Sequence, residues 1–529
     1  MKQKNFLFLI IISSLTIFSF KPVNDKPNQQ SENALVTDSR LLDVNNISTW
    51  YRTNGSFNWN PIKGMSGFEW PKGSGLFARY ESGLWLGAKV GNDTLVAIAG
   101  YDQEYLPGYI DNNGDPQGIF DTLYKIYSII RGDSISSDYL NWPVNQGAYL
   151  NSQGTPFFLG TQTMFYSYTD GYPKSHNAFG GGTAPLKAVI LQTNWSYTNV
   201  NLQDVIFTEY KIINRNSQPW INTYISIWTD DDIGDSFEDC VAVDTNLNLC
   251  YTYNFTDNDP GYGDGPPAVG FLALRNPIVP SIGDTAKYYN PPGSNNLVVK
   301  PNYKELDLSS FNMYSNGDPA IGDPSNFRET YFNLQGYQRF GTSWINPSTS
   351  QPSKFPFSGD PVTSTGWLQT SGEDRRSQMS IGPLTMNPND TQSVIVAQVI
   401  ARGTSNTNSV AVLRNLSNYV RGIYENNFQG VLSVKNVSSE IPSGFTLEQN
   451  YPNPFNPSTV IRYSIKENRF ITLKVFDILG NEISTLVNQK QNAGSYEVEF
   501  NATNLSSGIY FYKLITDSFT DTKRMILVK

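Results

Sequence analysis

One histidine and two cysteines are all the imidazole and thiol that this 529-residue chain contains. Each shortage removes a class of chemistry. A lone His176 cannot build a multi-histidine zinc site or a His-Glu-x-x-His protease. As the base of a serine triad it would want a Gly-x-Ser-x-Gly elbow, and the sequence has none. Cys240 and Cys250 are separated by nine residues without other ligands nearby, which is not a zinc spacing. Charge is scarce as well. Only 16% of residues are Asp, Glu, Lys or Arg, the net charge is −9, and no basic tract occurs, so a nucleic-acid partner is excluded. Lys174-Ser175 comes before Gly180-Gly181-Gly182 rather than directly after a glycine, so there is no phosphate loop, and no dinucleotide fingerprint is present. Chemistry using carboxylates alone stays open, since a glycosidase needs two acids and no histidine. No such pair can be chosen from the sequence.

Long apolar runs are missing too, with one exception. Phe6–Phe20 follows Lys2 and Lys4 and reads as the apolar region of a secretory signal peptide covering residues 1–20. It is short for a membrane span, so no transmembrane segment is expected after signal cleavage. Residues 21–34 read as a polar leader. What is abundant is aromatic and uncharged polar. Aromatics make up 13%, and with a mean hydropathy of −0.37 the polarity comes from Asn, Ser, Thr, Gly and Tyr. That balance suits an exported β-rich protein.

Residues 35–434 form a β-rich cargo region with a sub-boundary expected near 200. Leu84–Val90 and Thr94–Gly100 read as strands joined by Gly91-Asn92-Asp93. The aromatics from Trp50 to Trp85 either fill a sandwich core or stack on sugar rings. Val205–Ile213 and Ile221–Thr229 read as a strand and its return, with Gln218-Pro219 in the turn. On the second strand Tyr224, Ser226, Trp228, Asp230 and Asp232 share one face. An acidic run follows, and Asp230, Asp232, Asp235 and Asp239 are the candidate ligands for Ca²⁺, a hard cation taking six to eight oxygens. The spacing departs from an EF-hand, and a solvated acidic turn is the competing reading. A hairpin centred near Thr245 would set Cys240 opposite Cys250, and an oxidising compartment would favour a disulfide. From Leu272 to Gly372 the chain lacks periodicity and reads as loop-heavy. Ser393–Ala401 is apolar on both faces, as a central buried strand would be. Ser409–Tyr424 spaces Val410, Leu413, Leu416, Val420 and Ile423 as an amphipathic helix. Residues 435–444 read as a linker.

The final stretch, 445–529, has the clearest pattern. Pro452, Pro454 and Pro457 confine its opening to an extended lead-in. Short alternating runs separated by Gly and Asn turns follow, the pattern of a small antiparallel Ig-like β-sandwich. The fold class is therefore mainly β: multi-unit antiparallel β-sandwich cargo with one amphipathic helix, plus a C-terminal Ig-like sandwich.

Four strings mark this last module: Tyr451-Pro452-Asn453-Pro454-Phe455-Asn456-Pro457-Ser458-Thr459, Val475-Phe476-Asp477-Ile478-Leu479-Gly480-Asn481, Gly508-Ile509-Tyr510, and the basic-apolar ending with Lys523. Together they resemble the type IX secretion (Por system) C-terminal sorting domain of the Bacteroidetes and their relatives. The resemblance implies the type IX machinery as partner and passage through the periplasm to the medium or the outer cell surface. Pieces of the cargo, Trp228–Asp235 and Asp374-Arg375-Arg376 among them, are similar to large exported proteins ending in the same domain, which implies a location and no mechanism. Two functions remain: a structural, adhesive or binding component of the surface, or a protein that binds or hydrolyses carbohydrate, with surface polysaccharide or extracellular glycan as partner.

Overall fold

The computed structural model describes residues 37–315, 317–428, 435–438, 442–491, 493–502 and 505–529. The expected signal peptide and leader lie outside these residues. Antiparallel pairing dominates, as the period-two patterning requires. One large sheet runs in the order Ser39–Leu42, Thr49–Arg52, Ser56–Phe57, Glu81–Val90, Trp220–Asp230, Arg375–Met386, Ser310–Ser315, with Asp93–Ala97 hairpinned onto Glu81–Val90. The other runs Leu106–Pro107, Gln162–Thr169, Ala188–Ser196, Val205–Asn214, Thr391–Ala401, Ala268–Arg275, Leu249–Asn254, Asp239–Asp244, with Tyr127–Ile130 beside Gln162–Thr169. Their facing sides share one apolar core, in which Tyr51, Leu84, Leu86, Ile225 and Ile227 of the first meet Tyr168, Ile190, Tyr210, Val394 and Val396 of the second.

Both outer faces are covered as well. Helix Phe327–Leu334 sets Tyr331 and Leu334 against Trp85, Tyr224 and Trp228. Helix Asn406–Glu425 sets Val410, Leu413 and Val420 against Leu249, Tyr251, Ala397 and Val399. Ser405 caps this helix by accepting from the Asn408 amide at 3.0 Å. Val410, Leu413 and Val420 are fully buried, each contributing about 1.5–3 kcal/mol. Coverage on both faces, by this helix for Ala268–Arg275 and by Trp142 and Ala148 against Phe165 for Gln162–Thr169, explains why these strands are buried at every position and show no alternation.

Several expectations change. Val205–Asn214 and Trp220–Asp230 are not hairpin partners. The chain crosses at Gln218-Pro219 from one sheet to the other. No division falls near 200, because Ala188–Ser196 pairs directly with Val205–Asn214 across that point. The 272–372 stretch is structured: it holds the hairpin Ile278–Tyr289 with Leu297–Glu305, strand Ser310–Ser315 and helix Phe327–Leu334. The hairpin is exposed along most of both strands, so no apolar period marks it. The expected disulfide is also overturned. The hairpin does form, but its register sets Cys240 opposite Tyr253 and Cys250 opposite Val243. Cys240 enters the core under the long helix and Cys250 the core between the sheets, so the two free thiols lie on opposite faces.

The C-terminal module is a separate sandwich of two four-stranded sheets. One runs Lys435–Ser438, Gly494–Asn501, Ser458–Ile465, Thr446–Leu447. The other runs Glu482–Gln491, Arg469–Phe476, Gly508–Ile515, Thr520–Leu527. Residues 435–438, read above as linker, supply its edge strand. Ile461, Tyr463, Ile471, Leu473, Val475, Tyr512, Leu514 and Met525 fill the core between them.

Candidate acidic site and the C-terminal module

The acidic run begins where strand Trp220–Asp230 ends. Pairing places Asp230 between Glu81 on one neighbour and Arg376 on the other. Asp230 is buried on the same outer face as Trp228, which Trp85 stacks at 5.8 Å and the Tyr101 ring meets edge-on at 5.1 Å. The Tyr101 hydroxyl donates to Asp230 Oδ2 and accepts from Arg376 Nε at 2.8 Å. Arg376 Nε also lies 3.3 Å from Asp230 Oδ1, and its Nη1 lies 3.2 Å from Asp374 Oδ1. One carboxylate oxygen from each of Asp230, Asp232 and Asp374 falls within 4.8 Å of the others.

This crowding has electrostatic consequences. Burial pushes the Asp230 carboxyl well up, and repulsion from Asp232 adds to that while Arg376 opposes it. Asp232 rises to about 6, first through burial and then through repulsion from Asp374. Fully ionised, the three carboxylates and the guanidinium would carry two negative charges, which a bound divalent cation would neutralise, and an all-oxygen donor set suits a hard ion.

The four predicted ligands do not converge. Asp230 and Asp232 meet, joined by Asp374 instead of Asp235 and Asp239. Asp235 caps the short turn of helix Ser236–Glu238 by accepting from the Phe237 amide at 3.1 Å. Asp239 is fully buried and accepts from the Ile233 amide at 3.1 Å. Asp231 points the other way. It lies 3.3 Å from Arg79 and accepts from the hydroxyls of Thr229 and Thr252, each at 2.7 Å. Arg79, fully buried, sits 4.0 Å from the centre of the Phe271 ring. Asp374 escaped the sequence reading because only the pairing of Arg375–Met386 with Trp220–Asp230 brings it here. Its one local signal is the adjacent Arg375-Arg376.

Two other buried titratable groups are also shifted: Glu81, paired with Asp230 across the sheet, and His176. Glu81 is pushed up to about 8 by burial, against the opposing pull of Arg52. His176 is sealed inside: Nε2 donates to the Asp170 carbonyl at 2.7 Å, and Nδ1 lies 3.7 Å from Glu104 Oε2. Burial alone would lower its pKa, but Asp170 and Glu104 together raise it.

In the C-terminal module the first and last strings interlock. Asn453 Oδ1 accepts from the Ile526 amide at 2.9 Å, and the Phe455 amide donates to the Ile526 carbonyl at 2.9 Å. Tyr451 is exposed, Gly480 takes φ +83° in the turn after Phe476, Gly508 opens a strand, and Lys523 lies 3.5 Å from Asp521. Residues 449–529 match the family model described as the secretion system C-terminal sorting domain. This module is a type IX secretion sorting domain. The sorting domain marks the chain as a secreted or surface-attached protein. No curated protein matches the sequence. Among solved structures, a polysaccharide lyase aligns over 94% of this chain and 46% of its own, with 8% identity and a TM-score of 0.24. PorZ, described as an essential surface component of the type-IX secretion system of Porphyromonas gingivalis, aligns over 91% and 56%, with 10% identity and a TM-score of 0.14. The chain thus spans about half the length of these structures. No helix among the described residues is long and apolar enough to cross a membrane.

Proposed function

We propose that the cargo is a non-enzymatic binding or structural component of the cell exterior, carried there by the sorting domain and steadied by a divalent cation, Ca²⁺ by donor chemistry, at Asp230, Asp232 and Asp374. The observation that supports this most is the state of the acidic cluster. Its central carboxylate is buried, bonded to Tyr101 and paired with Arg376, an arrangement that fixes loops rather than one that presents an acid and a base to a substrate. Such a cluster fastens the end of Trp220–Asp230 to the start of Arg375–Met386.

A second reading, carbohydrate binding, has its own observation. A cavity of about 920 Å³ is walled by Asn151, Gln153, Asn290 and Asn296 with Phe158, and Arg131 is the one charged side chain in its lining. Amide and aromatic walls without carboxylates suit a neutral glycan. The deciding experiment is a pull-down of the full chain on a panel of insoluble polysaccharides, with calcium and with chelator. Binding to none supports the structural or adhesive reading. Saturable binding to one polymer supports the glycan reading, and release of reducing sugar from it would contradict a non-enzymatic cargo.

A further inference from the structure

Three of the sorting-domain strings, far apart in sequence, meet at one end of one sheet face. Strands Arg469–Phe476 and Gly508–Ile515 are antiparallel with Phe476 opposite Phe511. Ile478 and Leu479 sit in the turn that follows Phe476 and leads into Glu482–Gln491. Ile509 lies opposite Ile526, and Phe511 opposite Arg524. Alternation sends Val475, Tyr510, Tyr512, Met525 and Leu527 into the core, where all are buried, so Phe476, Ile509, Phe511 and Ile526 face outward. Ile478 is 69% exposed and Leu479 80%.

The turn that holds them is fixed. Asp477 accepts from the amides of Leu479 at 2.8 Å and Asn481 at 2.9 Å, and from Asn481 Nδ2 at 2.8 Å. Gly480 closes it at a positive φ that a side chain would strain. Two large aliphatic side chains are therefore held in water beside outward phenylalanines and isoleucines, and a contiguous apolar patch on a small domain marks an interface. Lys474 and Lys513, opposite each other, and Arg524 frame it, with Glu482 bonded to Lys474 at 2.7 Å. The sorting domain, residues 449–529, carries a net +2, whereas residues 37–448 carry −13.

We propose that this patch is the surface by which the sorting domain docks on a protein of the type IX export apparatus, one presenting an apolar groove with an acidic rim. The proposal rests on the sorting-domain reading and adds the face and the chemistry of the partner. Glu482 among the basic residues disfavours an anionic lipid surface as the occupant.

The test uses the full-length chain in cells with a type IX apparatus. Ile478→Asp with Leu479→Asp alters only the exposed tip. Arg462→Asp, on the outward face of the other sheet, is the control. The tip variant should lower the surface-to-periplasm ratio at least tenfold with an unchanged thermal midpoint, and the control should not. A photo-cross-linking residue at Leu479 should join the chain to an outer-membrane protein of the apparatus, which keeps the test decisive if the tip variant lowers the midpoint. Normal display of a well-folded tip variant would overturn the proposal. So would cross-linking to lipid, to a second copy, or to the cargo itself. If deletion of residues 449–529 traps the chain and the tip variant does not, the patch is wrong and the sorting reading stands. If the deletion also leaves display intact, the sorting reading fails with it.

Discussion

The cargo and the sorting domain are both antiparallel sandwiches, yet they bury different things. Among the described residues of the sorting domain the buried polar side chains are Asn450, Thr459 and Gln491, and none is ionisable. The cargo buries Arg79, Glu81, Glu104, Asp170, His176, Glu209, Asp230, Asp231, Asp239 and Arg275 among others. A core made only of apolar faces needs no particular partner for any residue, whereas a buried charge must find its counter-charge or change its protonation. The sorting domain is thus a simple sandwich whose distinctive residues are outside. The distinctive chemistry of the cargo is inside.

That contrast can be broken in graded ways. The largest effect concerns export: removing residues 449–529 should abolish surface display, measured by protease accessibility on intact cells, and leave the chain in the periplasm. Next comes the buried pair. Asp231→Ala strands Arg79 and should cost the cargo about 3–5 kcal/mol in denaturant unfolding. A third test is the pH profile. Glu81 keeps its proton up to about pH 8 when folded and to about 4.5 when unfolded. Its contribution is therefore fully present below pH 4.5, falls as pH rises, and is lost through pH 8. Glu81→Gln should remove a decline on the order of 5 kcal/mol across that window.

Asp232 gives a smaller, two-signed effect. Its folded pKa of about 6 lies above the unfolded 3.8, so the stability it lends is present below pH 3.8 and lost as pH rises through 6. In chelator at pH 7, Asp232→Asn should raise the thermal midpoint, by the equivalent of about 3 kcal/mol. In calcium it should lower it. The same change under both conditions would remove the cation from the account. Smallest of all, Arg462→Ala breaks an exposed pair with Glu497 in the sorting domain and should cost less than about 1 kcal/mol. A cost matching that of Asp231→Ala would erase the contrast between the two regions.

The same difference governs what the sequence discloses. Alternation such as Ile471, Leu473, Val475 is a local signal, and the sorting sandwich was readable strand by strand. The long helix was readable for the same reason, since its apolar spacing reflects one buried face. In the cargo, strands covered on both sides lose their alternation, so the jump from Val205–Asn214 to the other sheet looked like a hairpin. Asp230 and Asp232 were found through their strand parity. Asp374, Arg376 and Tyr101 belong to the same cluster only through pairing over more than a hundred residues, and Asp235 and Asp239 were drawn in by proximity along the chain. The cysteine register failed on a similar point: moving the hairpin's pairing puts the thiols on opposite faces.

The most direct test of the account places the address wholly in the last module. A signal peptide, an unrelated β-sandwich protein and residues 435–529 of this chain would be joined and expressed in cells with a type IX apparatus. The account predicts that the fusion is found outside the outer membrane, as the full-length chain is. Retention of the fusion in the periplasm, while the full-length chain is displayed, would show that the cargo carries part of the address and would contradict it.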